Sequence, residues 1–201
     1  PLSLLIMMVG GGIAGLKASE IAARRGHQVT LLEKESELGG ILRYTAQDRH
    51  KTDIARYLKH MIQRLRDLGV DIRTNTTATP EMVKALGPDA VLAAIGGRER
   101  TLAIPGGEQA KTALACYFHP EQVGQTLVVI GGGLTGCETA IHWAEEGRDV
   151  TLLSRSAELL PRVEGDGQCV NTHLLLLHET GVRVVTDCPV TAIRSDQVET
   201  P

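Results

Sequence analysis

The sequence predicts an α/β fold made of two βαβ units with parallel strands, and three observations carry that expectation. The 201 residues are 42% hydrophobic and only 2% aromatic. A core must therefore come from Leu, Val, Ile and Ala, the usual material of helices packed on buried parallel strands. The run VGGGIAGLKASEIAARRGHQVTLLEKESEL around Gly10 returns as IGGGLTGCETAIHWAEEGRDVTLLSRSAEL around Gly131, at a constant spacing of 121 residues with no gap. Each copy also passes from a short apolar run through a glycine turn into helical period, then into a second β-rich run.

Residues 4–9 read as the first strand, and about a dozen residues of helical period follow the turn at Gly10. Gly26 ends that helix before a strand over 29–32. Such a crossover makes the two strands parallel and the connection right-handed. Residues 53–68 repeat apolar positions at helical spacing, and Gly69 stops them before a strand over 70–73. An apolar strand over 89–95 is closed by Gly96 and Gly97, and residues 97–124, with Pro105, Gly106, Gly107 and Pro120, read as a connector. The second copy supplies strands at 127–130 and 150–153 around a helix that Gly147 ends. A helix over 169–179, Gly181, and strands at 182–186 and 190–194 complete the chain. The expected organisation is a first unit over 1–96, a connector over 97–124 and a second unit over 125–201. A start at Pro1 and a stop at Pro201, in what reads as the middle of a hairpin, suggest an excised piece of something longer.

Composition removes several functions. A net charge of -3 with interspersed signs leaves no footprint for nucleic acid or an anionic membrane. Five aromatic residues make no stacking platform for single strands. No stretch approaches the roughly 20 apolar residues of a membrane span, so a cytoplasmic protein is expected. Cys116, Cys137, Cys169 and Cys188 lie far apart without C-x-x-C spacing, which suggests reduced, buried thiols and neither a disulfide framework nor a metal site.

The two glycine turns carry the chemistry. Gly10, Gly12 and Gly15 form G-x-G-x-x-G between a strand and a helix. In that pattern the first glycine permits the tight turn, the second lets a pyrophosphate approach the backbone, and the third lets the helix pack on the strand. The phosphates then meet the free N–H groups of the first helical turn, at Ile13, Ala14 and Gly15. Glu33 falls 23 residues after Gly10 at the end of the second strand, where a carboxylate accepts both ribose hydroxyls. The second turn repeats the pattern with Gly131, Gly133 and Gly136, its helix opening at Leu134 and Thr135. Here Ser154 and Arg155 stand at the Glu33 position. A carboxylate repels a ribose 2′-phosphate, whereas a hydroxyl and a guanidinium bind one, so the second site is expected to prefer NADPH to NADH. Arg162 offers a further contact of the same kind. The expectation is thus two Rossmann-like βαβ units of the FAD/NAD(P)-binding type, the first incomplete at its C-terminal side. A flavin in the first and a nicotinamide in the second would let hydride pass from nicotinamide C4 to flavin N5.

These residues also resemble a family. The extension LLEKESELGG, the segments DAVLAAIGG and IPG, the unit VVIGGGLTGCETA and the stretch HKTDIARYLKHMIQRLRDLGVDIRTNTTAT are similar to the flavin- and NADPH-binding half of the 2-enoate reductase, 2,4-dienoyl-CoA reductase and trimethylamine dehydrogenase family. The resemblance covers nearly the whole chain in order. It implies that Glu33, Lys34, Gly39 and Gly40 line the adenosine and pyrophosphate side of FAD, that Ala78 meets the adenine through its backbone, and that Gly96 closes the turn leaving the flavin unit. It places Glu138 near the nicotinamide, although an acid near a helix N-terminus is also favoured by the dipole alone. It implies FAD, or ADP as in trimethylamine dehydrogenase, in the first unit. It further implies an FMN-bearing barrel and an iron-sulfur cluster, both outside these residues, where an enoate or enoyl thioester is reduced. Ala94, Ile95 and Gly96 depart from the family's Ala-Thr-Gly and lose a hydroxyl. The family's closing Gly-Asp segment has no counterpart, which puts FAD retention in question.

Disulfide reductases share the two-site plan but carry a redox-active cysteine pair soon after Gly40. Residues 41–53 contain no Cys and the second unit contains no C-x-x-C, so thiol chemistry is not expected of this chain. A reductase of the glutamate synthase small-subunit type and a non-catalytic adenine-nucleotide domain stay open as alternatives. No histidine is given a catalytic or metal role, His173 and His178 being five residues apart and off a common helical face. Cys137 is expected to be a packing residue.

Overall fold

The computed structural model describes residues 3–161 and 167–201, and the chain divides into two compact units, one reaching to Arg98 and the other running from Glu99. In the first unit β1 (Leu5–Val9) leads into α1 (Ile13–Arg24) and returns as β2 (Gln28–Leu32). A short helix α2 (Leu42–Thr45) precedes α3 (Thr52–Asp67), followed by β3 (Asp71–Arg73), α4 (Pro80–Leu86) and β4 (Ala90–Ala93). All four strands are parallel in the order β3-β2-β1-β4.

The second unit opens on α5 (Ala113–Phe118), then β5 (Thr126–Ile130), α6 (Leu134–Glu145) and β6 (Asp149–Leu153). The helix α7 (Gly167–Glu179) and β7 (Arg183–Val185) follow, and a hairpin of β8 (Ala192–Ile193) and β9 (Val198–Glu199) ends the unit. The strands β5, β6 and β7 form a parallel sheet, while β8 and β9 pair antiparallel. The register repeats as well as the sequence: Leu5 faces Gln28 in the first sheet and Thr126 faces Asp149 in the second, each pair displaced by the same 121 residues.

Two differences from the sequence reading have physical causes. Residues 99–124 are compact with the second unit, because Tyr117 of α5 is 2% exposed and stacks on His142 of α6 at 4.4 Å between ring centroids. The strand expected over 89–95 contracts to β4, all of it exposed at the sheet edge, with Val91, Leu92 and Ile95 facing out. The helix α3 does follow its apolar spacing, placing Met61 and Leu65 in a core with Leu16, Leu31 and Met8.

A charged cluster braces α1 against α3. Glu20, 6% exposed, accepts from Lys17 Nζ at 2.6 Å and lies 3.7 Å from Arg24 and 3.5 Å from Arg64 of α3. The Lys17 ammonium holds the Glu20 carboxyl below the usual carboxylate range against the opposing effect of burial, and Arg24 and Arg64 add to it. The folded chain therefore binds fewer protons here than the unfolded one. This stabilisation is complete above about 4.5, the group's ordinary value, and is lost as pH falls through the lowered one. Glu20→Gln should lower stability by about 1–3 kcal/mol at neutral pH and flatten the acid limb of a melting-temperature profile. Leu65→Ala, at a fully buried position, should cost about 2–5 kcal/mol by urea titration.

Candidate dinucleotide sites

The three glycines of the first turn are glycines for different reasons. A Cβ on Gly15 would stand 1.8 Å from the Gly10 carbonyl oxygen, and one on Gly10, whose φ is 105°, would stand 2.3 Å from the Ala94 carbonyl oxygen. Gly12 is extended, with φ -73° and ψ -177°, and a Cβ there would meet nothing within 4 Å. The fold requires Gly10 and Gly15 and does not require Gly12. The second turn repeats the contrast at its last two glycines: a Cβ on Gly136 would lie 1.8 Å from the Gly131 carbonyl oxygen, whereas Gly133, at φ -82° and ψ -179°, is open. A Cβ on Gly131 would meet nothing within 4 Å, and that residue is set apart by its φ of 121° alone.

The helix starts beside these glycines are bare. Thr79 and Thr112 cap α4 and α5, each hydroxyl accepting a backbone N–H at 3.2 Å. Neither α1 nor α6 has a side-chain cap or an acidic residue in its first turn. The first N–H groups of α1, around Ile13, Ala14 and Gly15, and of α6, around Leu134, Thr135 and Gly136, thus lack the side-chain caps that α4 and α5 receive. Together with the positive end of the helix dipole they suit a phosphate.

Glu33 lies beneath the first turn. It is 8% exposed, with Oε2 accepting the Gly11 N–H at 2.6 Å and Oε1 accepting the Glu35 N–H at 2.9 Å. Each oxygen keeps a lone pair for a ribose hydroxyl. Gly39 donates its N–H to the Gly11 carbonyl at 2.8 Å, and Gly40 packs so that a Cβ would come 3.1 Å from Gly12 Cα. Glu33, Gly39 and Gly40 are therefore gathered at the turn. Lys34 is exposed and pairs with Glu35 at 3.5 Å. Ala78 precedes the cap of α4, and Gly96, at φ 72°, follows β4. Among the described residues no hydrogen bond ties Lys34, Ala78 or Gly96 to the turn.

In the second unit Leu160 takes the place of Gly39, donating its N–H to the Gly132 carbonyl at 2.7 Å. It does so at φ 57°, with its side chain buried in the core, a backbone conformation that a leucine rarely adopts. Ser154 is 2% exposed, and its hydroxyl donates to the Ser156 carbonyl and accepts the Ser156 N–H, both at 3.2 Å. A Cβ on Gly132 would come 2.6 Å from the Ser154 hydroxyl, as one on Gly11 would come 3.0 Å from the Glu33 carboxylate. Arg155 is exposed and makes no ion pair among the described residues. Arg162 lies outside the described residues. A pocket of about 710 Å³ borders the turn, its lining including Gly131, Gly133, Thr135 and Gly136 together with Arg100 and Lys111. That volume is in the range of small-molecule sites.

The structure places Glu138 away from that lining, on the side of α6 that meets α7, with its carboxylate 3.5 Å from His173 Nε2. Cys137 is fully buried and donates to the Gly132 carbonyl at 3.7 Å; burial pushes its thiol up to about 11, which suits a packing residue. The expectation of four buried thiols needs correcting, since Cys116, Cys169 and Cys188 are only half-buried. Among the described residues His173 pairs neither with His178 nor with a metal cluster but lies one helical turn after Cys169, its Nδ1 2.7 Å from the Cys169 carbonyl oxygen. The i, i+4 spacing of that pair was the available signal. Among the described residues no metal-binding cluster occurs and no helix is long and apolar enough to cross a membrane.

The two kinds of glycine separate on substitution. Gly15→Ala and Gly136→Ala should each destabilise the chain by about 1–3 kcal/mol through overpacking. Gly12→Ala and Gly133→Ala should stay within about 0.5 kcal/mol of the parent in urea melts.

Comparison with known proteins agrees with this geometry. Residues 5–200 match the family model described as pyridine nucleotide-disulphide oxidoreductase. Cinnamate reductase of Clostridium sporogenes is 38% identical over 172 residues, which cover 86% of this chain and 26% of that one. Bilirubin reductase of Mediterraneibacter gnavus is 34% identical over 197 residues, covering 96% and 30%. A solved complex of 2-naphthoyl-CoA reductase with 2-naphthoyl-CoA superposes with a TM-score of 0.92 at 26% identity, over 99% of this chain and 30% of that one. The chain thus spans 26–30% of the length of these relatives. Matched from residue 5 to residue 200, it belongs to the pyridine nucleotide-disulphide oxidoreductase family, as a flavoprotein oxidoreductase akin to the 2-enoate reductase, 2,4-dienoyl-CoA reductase and trimethylamine dehydrogenase group that its motifs resemble.

Proposed function

We propose that this chain is the dinucleotide-binding part of a flavin-dependent reductase, with FAD or ADP in the first unit and NADPH in the second. Bound there, FAD would accept the hydride that NADPH supplies, and a separate FMN-bearing domain with an iron-sulfur cluster, outside these residues, would use the electrons to reduce an enoate or enoyl thioester. One observation carries the reading: Gly12 and Gly133 are glycines whose backbone and surroundings would accept a Cβ, so the space beside them is explained by a ligand. The names of relatives that act as a cinnamate reductase and a 2-naphthoyl-CoA reductase support the substrate class.

FAD, when bound, supplies the ring that takes up the hydride. The chain's own residues bind and orient. The N–H groups of Ile13, Ala14 and Gly15 take the pyrophosphate, and the bare glycine backbone lets it approach. Glu33, anchored by the Gly11 and Glu35 N–H groups, presents its remaining lone pairs to the ribose. In the second unit the N–H groups at Leu134, Thr135 and Gly136 take the same part. Ser154 contributes by not being a carboxylate, since its hydroxyl is already engaged with Ser156. Arg155, exposed beside it, is left as the group that meets a 2′-phosphate.

Gly12→Ala should weaken FAD or ADP binding at least about tenfold and leave NADPH binding unchanged, with Gly133→Ala doing the reverse; calorimetric titration separates the two. Loss of a charge-assisted hydrogen bond is worth about 1.5–3 kcal/mol, so Arg155→Ala should cost NADPH roughly ten- to a hundredfold in affinity and NADH little. Equal affinity of the parent chain for NADPH and NADH would contradict the assignment.

A further inference from the structure

The internal repeat shows what the second sheet lacks. In the first sheet β1 lies between β2 and β4, whereas among the described residues β5 has β6 on one side and an open edge on the other. Leu5 and Val9 turn their carbonyls to the β4 side, accepting the Asp89 N–H at 2.9 Å and the Ala94 N–H at 2.7 Å. Strand alternation puts the backbone groups of Met7 on that side too. Displaced by 121 residues, their counterparts Thr126, Val128 and Ile130 face the open edge of β5.

That edge is uncovered where its counterpart is sealed. Met7, in register with Val91 of β4, is 2% exposed, and Val128 is 44% exposed. A Cβ on Gly10 would stand 2.3 Å from the Ala94 carbonyl oxygen just past β4, while one on Gly131 would meet nothing within 4 Å. The cavity of about 710 Å³ beside the second glycine turn extends along β5, its lining including Thr126, Val128, Ile130 and Thr139. Thr139 is 6% exposed, and its hydroxyl has no hydrogen-bond partner among the described residues. Buried hydroxyls are seldom left that way. The β5 segment TLVVI also carries no charge and no proline to guard an open edge, whereas β3 at the edge of the first sheet carries the Asp71–Arg73 ion pair at 2.7 Å.

We propose that the β5 edge is a docking groove for one extended apolar segment of the β4 kind, which enters parallel to β5 and is supplied by polypeptide outside these residues. The occupied counterpart sets the register: the segment lies along Leu127 to Ile130 as Ala90 to Ala93 lie along Ile6 to Val9, and the next N–H after it is donated to the Ile130 carbonyl. Docking covers Val128 and brings polar backbone into the cavity that Thr139 lines. In the first unit β4 is in place and the backbone at Gly12 is still open, so a strand here leaves the second turn free for a phosphate. The chain spans 26–30% of the length of its relatives, so each of them has further polypeptide from which such a strand can come. This inference is independent of which dinucleotides the chain holds.

The test adds a synthetic peptide of residues 88–97, the segment that carries β4, to the isotope-labelled full chain and reads amide hydrogen exchange residue by residue. In the chain alone Val128 and Ile130 should exchange freely, while Leu127 and Val129, on the β6 side, should be protected. Millimolar peptide should slow Val128 and Ile130 at least about tenfold and leave Met7 and Val9 unchanged. A peptide carrying Leu92→Pro, which lacks a ladder N–H, should give no protection, and neither should the parent peptide on a Val128→Lys chain, whose edge carries a charge. Unchanged exchange at Val128 and Ile130, or equal protection by the Leu92→Pro peptide, would overturn the proposal. Protection in the chain alone that rises with protein concentration as the mass doubles would overturn it as well, by making a second copy the occupant.

Discussion

The carbonyl oxygens of Gly10 and Gly131 decide how closely each crossover helix can approach its strand. A side chain at Gly15 or Gly136 would stand 1.8 Å from that oxygen, so each helix sits where only a hydrogen fits. This approach brings the starts of α1 and α6 to the C-terminal ends of β1 and β5, where ligands of open α/β sheets bind. The same geometry carries the turn over the end of the neighbouring strand, so that Glu33 reaches the Gly11 N–H and Ser154 lies under Gly132. Neither cradle exists without that contact.

Within one frame the two units have diverged where a ribose would lie. The first keeps a buried carboxylate tied to two backbone N–H groups and a Gly39-Gly40 corner folded against Gly12. The second replaces the carboxylate with a hydroxyl turned onto Ser156, and replaces Gly39 with Leu160, which keeps the backbone clasp at the expense of a left-handed φ. Burial of the Leu160 side chain in the core offsets that local strain. Similar backbones thus present a carboxylate in one unit, and a guanidinium beside a neutral hydroxyl in the other.

The sequence made the glycine turns, the parallel register and the role of α3 legible, because each is a local pattern: a fixed glycine spacing, a repeat without gaps, an apolar stripe. What it hid depends on tertiary neighbours. Tyr117 belongs with the second unit because its ring stacks on His142, and no spacing rule connects residues 117 and 142. The orientation of Glu138 was hidden for the same reason. It is in register with its helix, but only the packing of α6 on α7 sets its carboxylate against His173. The separate role of the second glycine was legible from the motif, and the geometry adds the measure of it: Gly12 and Gly133 have room for a methyl group, whereas Gly15 and Gly136 do not.

Backbone amide spectra of the isotope-labelled chain, recorded as FAD and then NADP⁺ are added, test the central claim that each turn is a separate dinucleotide cradle. FAD should move the amide signals of Gly10 to Gly15 with Gly39 and Gly40, and NADP⁺ should then move those of Gly131 to Gly136 with Arg155, each leaving the other set in place. Shifts of both sets by a single ligand, or of neither set at saturating concentration, would contradict the account.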